Sequence, residues 1–398
     1  MDKYVKLSQK SLSALAETLS ARLRPSLKSA KQGHLIKPSV GLDGILSDLI
    51  AIPSVNGNYE PLHIGLDYVD HFLSERGMRV KRFEWHGVES LVATTQHTKR
   101  PTIMLSAHID VVPAAPELFT LREKDGNYYG RGTFDMKFAI AAYLQLVDEL
   151  QDQLRDYDFG IKITSDEETG GFNGVVKLIE EGYIPQAVVI PDGGDNWNME
   201  TFCKGVWHVN LTAAGRDAHG SRPWEGESAT DKLMRAINEI QQTFPYTSPE
   251  GSTINLGVIH GGDVTNKVAS KATASLDVRA ASITEDKRLQ AGIARICKKH
   301  DVELTTDVYA PPVVNDPKNP FIKSFMQSIK TVTGRTAGES MSYAATDGRH
   351  YAAVGVPCVI VRPPGGNLHG PEEHISKKGF HQLKDVLRDY LDREARAA

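Results

Sequence analysis

Cysteine is scarce in this chain. Cys203, Cys297 and Cys358 are the three in 398 residues, and they stand far apart with no paired spacing. That excludes a disulfide framework and a cysteine-built zinc knuckle, and it fits a reducing, cytoplasmic setting. No apolar run is long enough to span a membrane, and the N-terminus lacks the apolar core of a secretory signal. Nor does charge of one sign dominate. Fifty acidic residues stand against 46 basic ones, a formal net charge of −4, which speaks against general nucleic-acid binding. Repeats and low-complexity tracts are also missing. What is there is an ordinary globular composition, 40% hydrophobic and 24% charged, in a chain long enough to require two domains.

The most informative stretch runs from 103 to 137. Ile103 to Leu105 reads as a buried strand that closes on His108-Ile109-Asp110. Alternation places His108 and Asp110 on one side. An imidazole with a carboxylate two residues on suits a metal ligand and its orienting partner. Gly130-Arg131-Gly132 then bends the backbone before Asp135, which opens an apolar helical stretch over 136–150. Two more apolar strands end in acids. The strand at 159–164 runs into Asp166-Glu167-Glu168-Thr169-Gly170-Gly171, and the one at 187–191 into Asp192. Open α/β sheets hold ligands beyond their strand ends, and adjacent carboxylates need something positive between them. A last buried strand at 356–361 leads to the turn-rich loop that carries His369.

Between 204 and 310 the pattern changes. Strands and helices are expected in the order βαββαβ, a split ferredoxin-like unit inserted into the first domain. Upstream, Leu12, Leu15, Ala16, Leu19 and Leu23 recur at helical spacing. Residues 1–40 are therefore read as a helical extension packed on the domain or on a partner. The expected division is a catalytic domain formed by 1–203 and 311–398, with 204–310 as the insert.

His108, Asp135, Glu168, Asp192 and His369 are the candidate metal ligands. Two imidazoles and three carboxylates suit borderline divalent ions such as zinc, cobalt or manganese. They are too many for one catalytic ion with an open position, and they suit two if one carboxylate bridges. The positive charge left over can activate water and polarise a carbonyl. Glu167 is then free to serve as general base, moving a proton from the trapped water to a leaving nitrogen.

The motifs SAHIDVVP, YGRGTFDMK, SDEETGG, IPDGG and NLHGPEE together resemble the dizinc amidohydrolase and exopeptidase family of acetylornithine deacetylase, succinyl-diaminopimelate desuccinylase, aminoacylase and the glutamate carboxypeptidases. The resemblance runs from about Leu46 to the end. It implies a zinc-bearing α/β domain interrupted by a smaller lid domain that often dimerises. It also implies that Asp135 bridges, that one ion takes His108 and Asp192, and that the other takes Glu168 and His369. Glu167 would be the base and Asp110 the partner of His108. The segment from Gly215 to Pro223 resembles the family stretch whose histidine reaches a neighbouring subunit's site, so His219 would steady the oxyanion. By its residues alone His219 is an ordinary loop histidine. Asn266 and Arg279 resemble residues that grip a substrate carboxylate, although Arg279 on a strand is equally a structural ion pair.

Some positions depart from the family pattern. Phe138 stands where a glycine is usual, and Asp192 where deacylases often carry glutamate; aspartate there is more typical of the amino- and dipeptidase branches. Ala344 and Ala345 replace the glycine–threonine pattern of the desuccinylases. The expected activity is hydrolysis of the amide bond of a small carboxylate-bearing N-acyl amino acid or peptide. A dipeptidase or aminopeptidase of the same family is the alternative, and a silent binding protein on the same scaffold is the third reading. A homodimer through the lid is the expected assembly, with no nucleic-acid or membrane partner.

Overall fold

The computed structural model describes residues 38–343 and 346–396. The helix expected around Leu12–Leu23 lies outside them, as do Ala344 and Ala345. The chain divides into two compact units. The first takes the described residues up to Met199, Lys318–Gly338 and those from Val356 onward; the second takes Glu200–Pro317 and Glu339–Gly355.

The first unit is built on a six-stranded sheet. Its labelled strands are β1 (Arg79–Trp85), β2 (Val88–Thr94), β3 (Ile103–His108), β4 (Phe159–Thr164) and β5 (Ala187–Ile190), and a short strand, Cys358–Ile360, completes it. The order is β1-β2-β4-β3-β5 and then Cys358–Ile360. The last four positions run parallel, while β1 and β2 are antiparallel. Every residue of β3, β4 and β5 is buried, as expected of parallel strands covered on both faces. Register aligns their C-terminal ends: His108 lies opposite Thr164, Leu105 opposite Val189 and Ile190 opposite Ile360. Four connections therefore leave the sheet along one edge.

Three helices shape that edge: α1 (Leu42–Ala51), α2 (Tyr59–Glu75) and α3 (Lys137–Leu150). α3 buries nearly all its side chains, from Phe138 through Leu150, so the phenylalanine where the family has glycine is a core residue. Tyr143 donates from its hydroxyl to the Ser106 carbonyl at 3.1 Å, pinning α3 to β3. Lys137 is fully buried and donates to the carbonyls of Leu49 (3.0 Å) and Ile52 (2.6 Å) at the end of α1. Carbonyls at a helix C-terminus have no partner within the helix, and a cation is favoured there. Burial pushes the ammonium down to about 7.

The second unit carries a four-stranded antiparallel sheet in the order Thr253–Gly261, Lys271–Ala280, Gly205–Ala214, Val302–Ala310. Helices Ala229–Thr243 and Ile283–Lys299 cover one face, where Leu211, Leu233, Ile237, Leu276 and Ile293 form part of the core. Each helix starts at a serine whose hydroxyl accepts the N–H three residues on: Ser228 from Asp231 and Ser282 from Glu285, both at 3.1 Å. Along the chain these elements read βαββαβ. The sequence reading leaves 339–355 with the first domain. In the structure, strand Glu339–Ser342 lies beside Met199–Cys203, and Lys204 donates its N–H to the Ser342 carbonyl at 3.2 Å, so this segment joins the second unit. No helix among the described residues is long and apolar enough to cross a membrane.

Candidate metal centre

The aligned strand ends bring the five candidate ligands together. His108 closes β3, Glu168 and Glu167 follow β4, Asp192 follows β5, and His369 sits in the loop after Cys358–Ile360. Asp135 comes from the turn before α3. His108, Asp135 and Asp192 each offer an atom within 4.8 Å of the others, and so do Asp135, Glu168 and His369. The two groups share Asp135. Its Oδ1 lies 3.1 Å from His108 Nε2 and its Oδ2 2.9 Å from His369 Nε2. His369 Nε2 is also 3.5 Å from Glu168 Oε2, and Glu167 Oε2 is 4.0 Å from His108 Nε2.

The charges call for cations. Burial works against the charge on Asp135, yet the imidazoles of His108 and His369 hold its carboxyl far below the usual range. Asp135, followed by Glu168, lifts His369 to about 10. His108 is fully buried, which opposes its charge, but the carboxylates of Asp110 and Asp135 raise it nonetheless. Without a cation, protons on the two rings offset only part of the carboxylate charge; a divalent ion can take their place. Glu168 Oε1 is buried and has no hydrogen-bond partner, an orphaned acceptor on a residue whose other oxygen faces His369. Nitrogen and carboxylate donors in this ratio fit zinc, cobalt or manganese.

Asp110 does more than orient His108. His108 Nδ1 lies 2.9 Å from the Asp110 carbonyl and 3.5 Å from its carboxylate, so the backbone oxygen is the nearer acceptor. The carboxylate, also within 3.5 Å of that nitrogen, is shared with the next turn. It accepts the N–H groups of Glu167 (3.3 Å) and Glu168 (3.1 Å) and the Asn56 amide (3.0 Å). One side chain thus fixes the turn that carries the candidate base. In the sequence Asn56 stands in the turn cluster Pro53-Ser54-Val55-Asn56-Gly57. That cluster is stitched to the strand end: Ser54 Oγ donates to the Ile109 carbonyl at 2.6 Å and Asn56 N–H to the Val111 carbonyl at 3.0 Å.

The Asp135 turn requires its glycines. Gly132 has φ +91°, and a Cβ there would lie 2.8 Å from Lys137 Cδ. The peptide between Asp135 and Met136 is cis. Arg362 is a further residue the motifs do not announce. It is buried, stacks over Phe134 at 4.0 Å, and lies 3.7 Å from Asp192 Oδ1 and 2.6 Å from Asp195 Oδ1.

The second unit holds the other predicted residues. His219 is exposed in a short bridge, His219 opposite Lys267, and Gly220 N–H donates to the Asn266 carbonyl at 2.7 Å. His219 and Asn266 are therefore neighbours. Ser221 N–H donates to His219 Nδ1 at 3.2 Å. Nδ1 also lies 2.8 Å from Ser221 Oγ; a neutral ring that accepts at Nδ1 carries its proton on Nε2. Arg279 is not with them. It lies near the far end of strand Lys271–Ala280, where its Nε pairs with Asp277 Oδ1 at 2.8 Å.

The model of peptidase family M20/M25/M40 matches residues 104–393. A succinyl-diaminopimelate desuccinylase of Acidovorax ebreus (strain TPSY) is 25% identical over 390 residues, covering 87% of this chain and 96% of that protein. A tripeptidase from Staphylococcus aureus has a TM-score of 0.74 at 22% identity, over 88% of this chain and 96% of its own. An M20-family metallo-carboxypeptidase from Sulfolobus solfataricus has a TM-score of 0.70 at 17% identity, over 89% of this chain and 99% of its own. These two solved structures share its fold.

Proposed function

The chain belongs to peptidase family M20/M25/M40 and is a metal-dependent amide hydrolase; from that premise we propose that it cleaves a small N-acyl amino acid or short peptide at a two-cation centre. His108, Asp135 and Asp192 would hold one divalent ion, and Asp135, Glu168 and His369 the other. Zinc is the ion best suited. The observation that supports this reading is the Asp135 carboxylate, with one oxygen turned to each imidazole. Bound there, the cations supply Lewis acidity, polarising the scissile carbonyl and making water a nucleophile at neutral pH.

The chain's own residues handle the proton. As water adds to the carbonyl carbon, Glu167 takes its proton; as the C–N bond breaks, Glu167 gives that proton to the leaving nitrogen. Asp110 keeps Glu167 in place through the backbone. Asn266 is a candidate for holding the substrate carboxylate; Arg279, the other candidate, lies apart from it and must exchange Asp277 to do so.

The test is chelation followed by restoration with zinc, cobalt or manganese, on a panel of N-acetyl and N-succinyl amino acids and unblocked di- and tripeptides. Activity should vanish with the metal and return with it. Preference for blocked substrates supports the acyl-amino-acid reading. Preference for free dipeptides favours the peptidase reading that Asp192 motivates. Metal-independent hydrolysis sinks both.

His219 acts in this reading across a homodimer formed through 204–310, donating Nε2–H to the oxyanion. His219→Ala should lower kcat by roughly 10²- to 10³-fold with metal content unchanged. Mixing it with a Glu167 variant should restore part of the activity if the histidine serves a neighbouring copy; no recovery in proven mixed dimers refutes the crossing.

A further inference from the structure

The loops carrying Asp135 and His369 hold each other through one buried ion pair. Glu373, from the His369 loop, reaches into the Asp135 turn. Its Oε1 accepts the N–H groups of Gly132 (2.9 Å), Phe134 (2.8 Å) and Asp135 (3.1 Å), and its backbone carbonyl accepts from Gly130 N–H at 3.2 Å. Arg131, from the Asp135 loop, reaches back. One arm of its guanidinium pairs with Glu373 Oε2, and the other donates to the His369 carbonyl at 2.8 Å. Glu373 is completely buried and Arg131 nearly so. The two partners are 242 positions apart in the chain.

We propose that Arg131 and Glu373 are positioning residues that set the affinity of the Asp135–Glu168–His369 group, because they hold His369 in a conformation its own loop does not favour. His369 has φ +59° and Asn367 φ +56°, both left-handed and both without the freedom of glycine. Released from Arg131, the loop can relax and carry the imidazole away. His108 and Asp192 of the other group have no such backbone: His108 ends β3, Asp192 follows β5, and neither has a positive φ. Arg131 grips His369 by its carbonyl and leaves the Asp135 side chain untouched, so its loss falls on one group.

The inference rests on the two-cation reading, and cobalt titration of the metal-free enzyme separates the two claims. Visible absorption follows each ion as it binds, and calorimetry counts them. Arg131→Lys keeps a charge beside Glu373 but cannot also span to the His369 carbonyl. It should weaken one ion by roughly tenfold to a hundredfold, the usual effect of losing an outer partner, and change the other by less than about threefold. The weakened ion should be the one that His369→Ala abolishes. Arg131→Gln keeps a donor beside Glu373 but lacks the second arm that reaches the His369 carbonyl and should act in the same direction, so the test survives if the lysine variant does not fold. A parent enzyme that takes up fewer than two ions overturns the two-cation reading and the clamp with it. A parent that binds two, with folded variants that bind both at parent affinity or weaken both equally, overturns the clamp alone.

Discussion

Replacing Glu167 with glutamine is expected to lower kcat by roughly 10²- to 10⁴-fold, the usual contribution of a positioned general base, while the protein keeps its full complement of cations. The geometry separates the two properties. Glu167 belongs to neither ligand group, and its carboxylate stands 4.0 Å from His108 Nε2, within reach of a molecule seated beside the ligands. Its neighbour Glu168 is the ligand, and both backbone N–H groups are held by Asp110. Glutamine keeps the shape and those backbone bonds but cannot accept the proton. Elemental analysis of the purified variant, together with single-turnover kinetics, checks both halves. Hydrolysis at the parent rate would remove Glu167 from the mechanism. Loss of metal along with activity would reassign it as a ligand.

Asp135→Asn should have an effect of comparable size by a different route. Asp135 is the one residue common to both ligand groups, so its loss should weaken both ions by more than the roughly hundredfold that an outer partner costs and take hydrolysis with them. Glu168→Gln, which touches one group, should weaken one ion and leave the other. Asparagine keeps the side-chain volume and the backbone bonds to Glu373, so folding is preserved and metal binding is read directly. Two ions bound at parent affinity in Asp135→Asn would show that the shared carboxylate is incidental.

Much of the site is legible along the chain because a buried strand and its terminus announce themselves locally. Apolar runs at 103–105, 159–164 and 187–191 lead to His108, Glu167-Glu168 and Asp192, and three such runs with charged ends point to one site. The second unit is legible for a similar reason, since its hydrophobic period alternates between strand and helix in an order few folds share. Glu373 is not legible. It sits next to Glu372 in a loop of glycines and prolines, and nothing in that stretch tells the buried glutamate from the exposed one.

The sequence by itself determined which residue types stand at the strand ends, and therefore the chemistry available to this protein. Only the tertiary structure decided that Asp135 faces both imidazoles, that Arg131 and Glu373 lock two distant loops, that Asp110 turns its carboxylate to the base-bearing turn, and that Glu339–Gly355 belongs to the second unit. The reason is physical. Residue type and period are written in neighbouring positions, whereas these contacts depend on strand order. β3 lies between β4 and β5, and that order follows from packing the whole sheet at once.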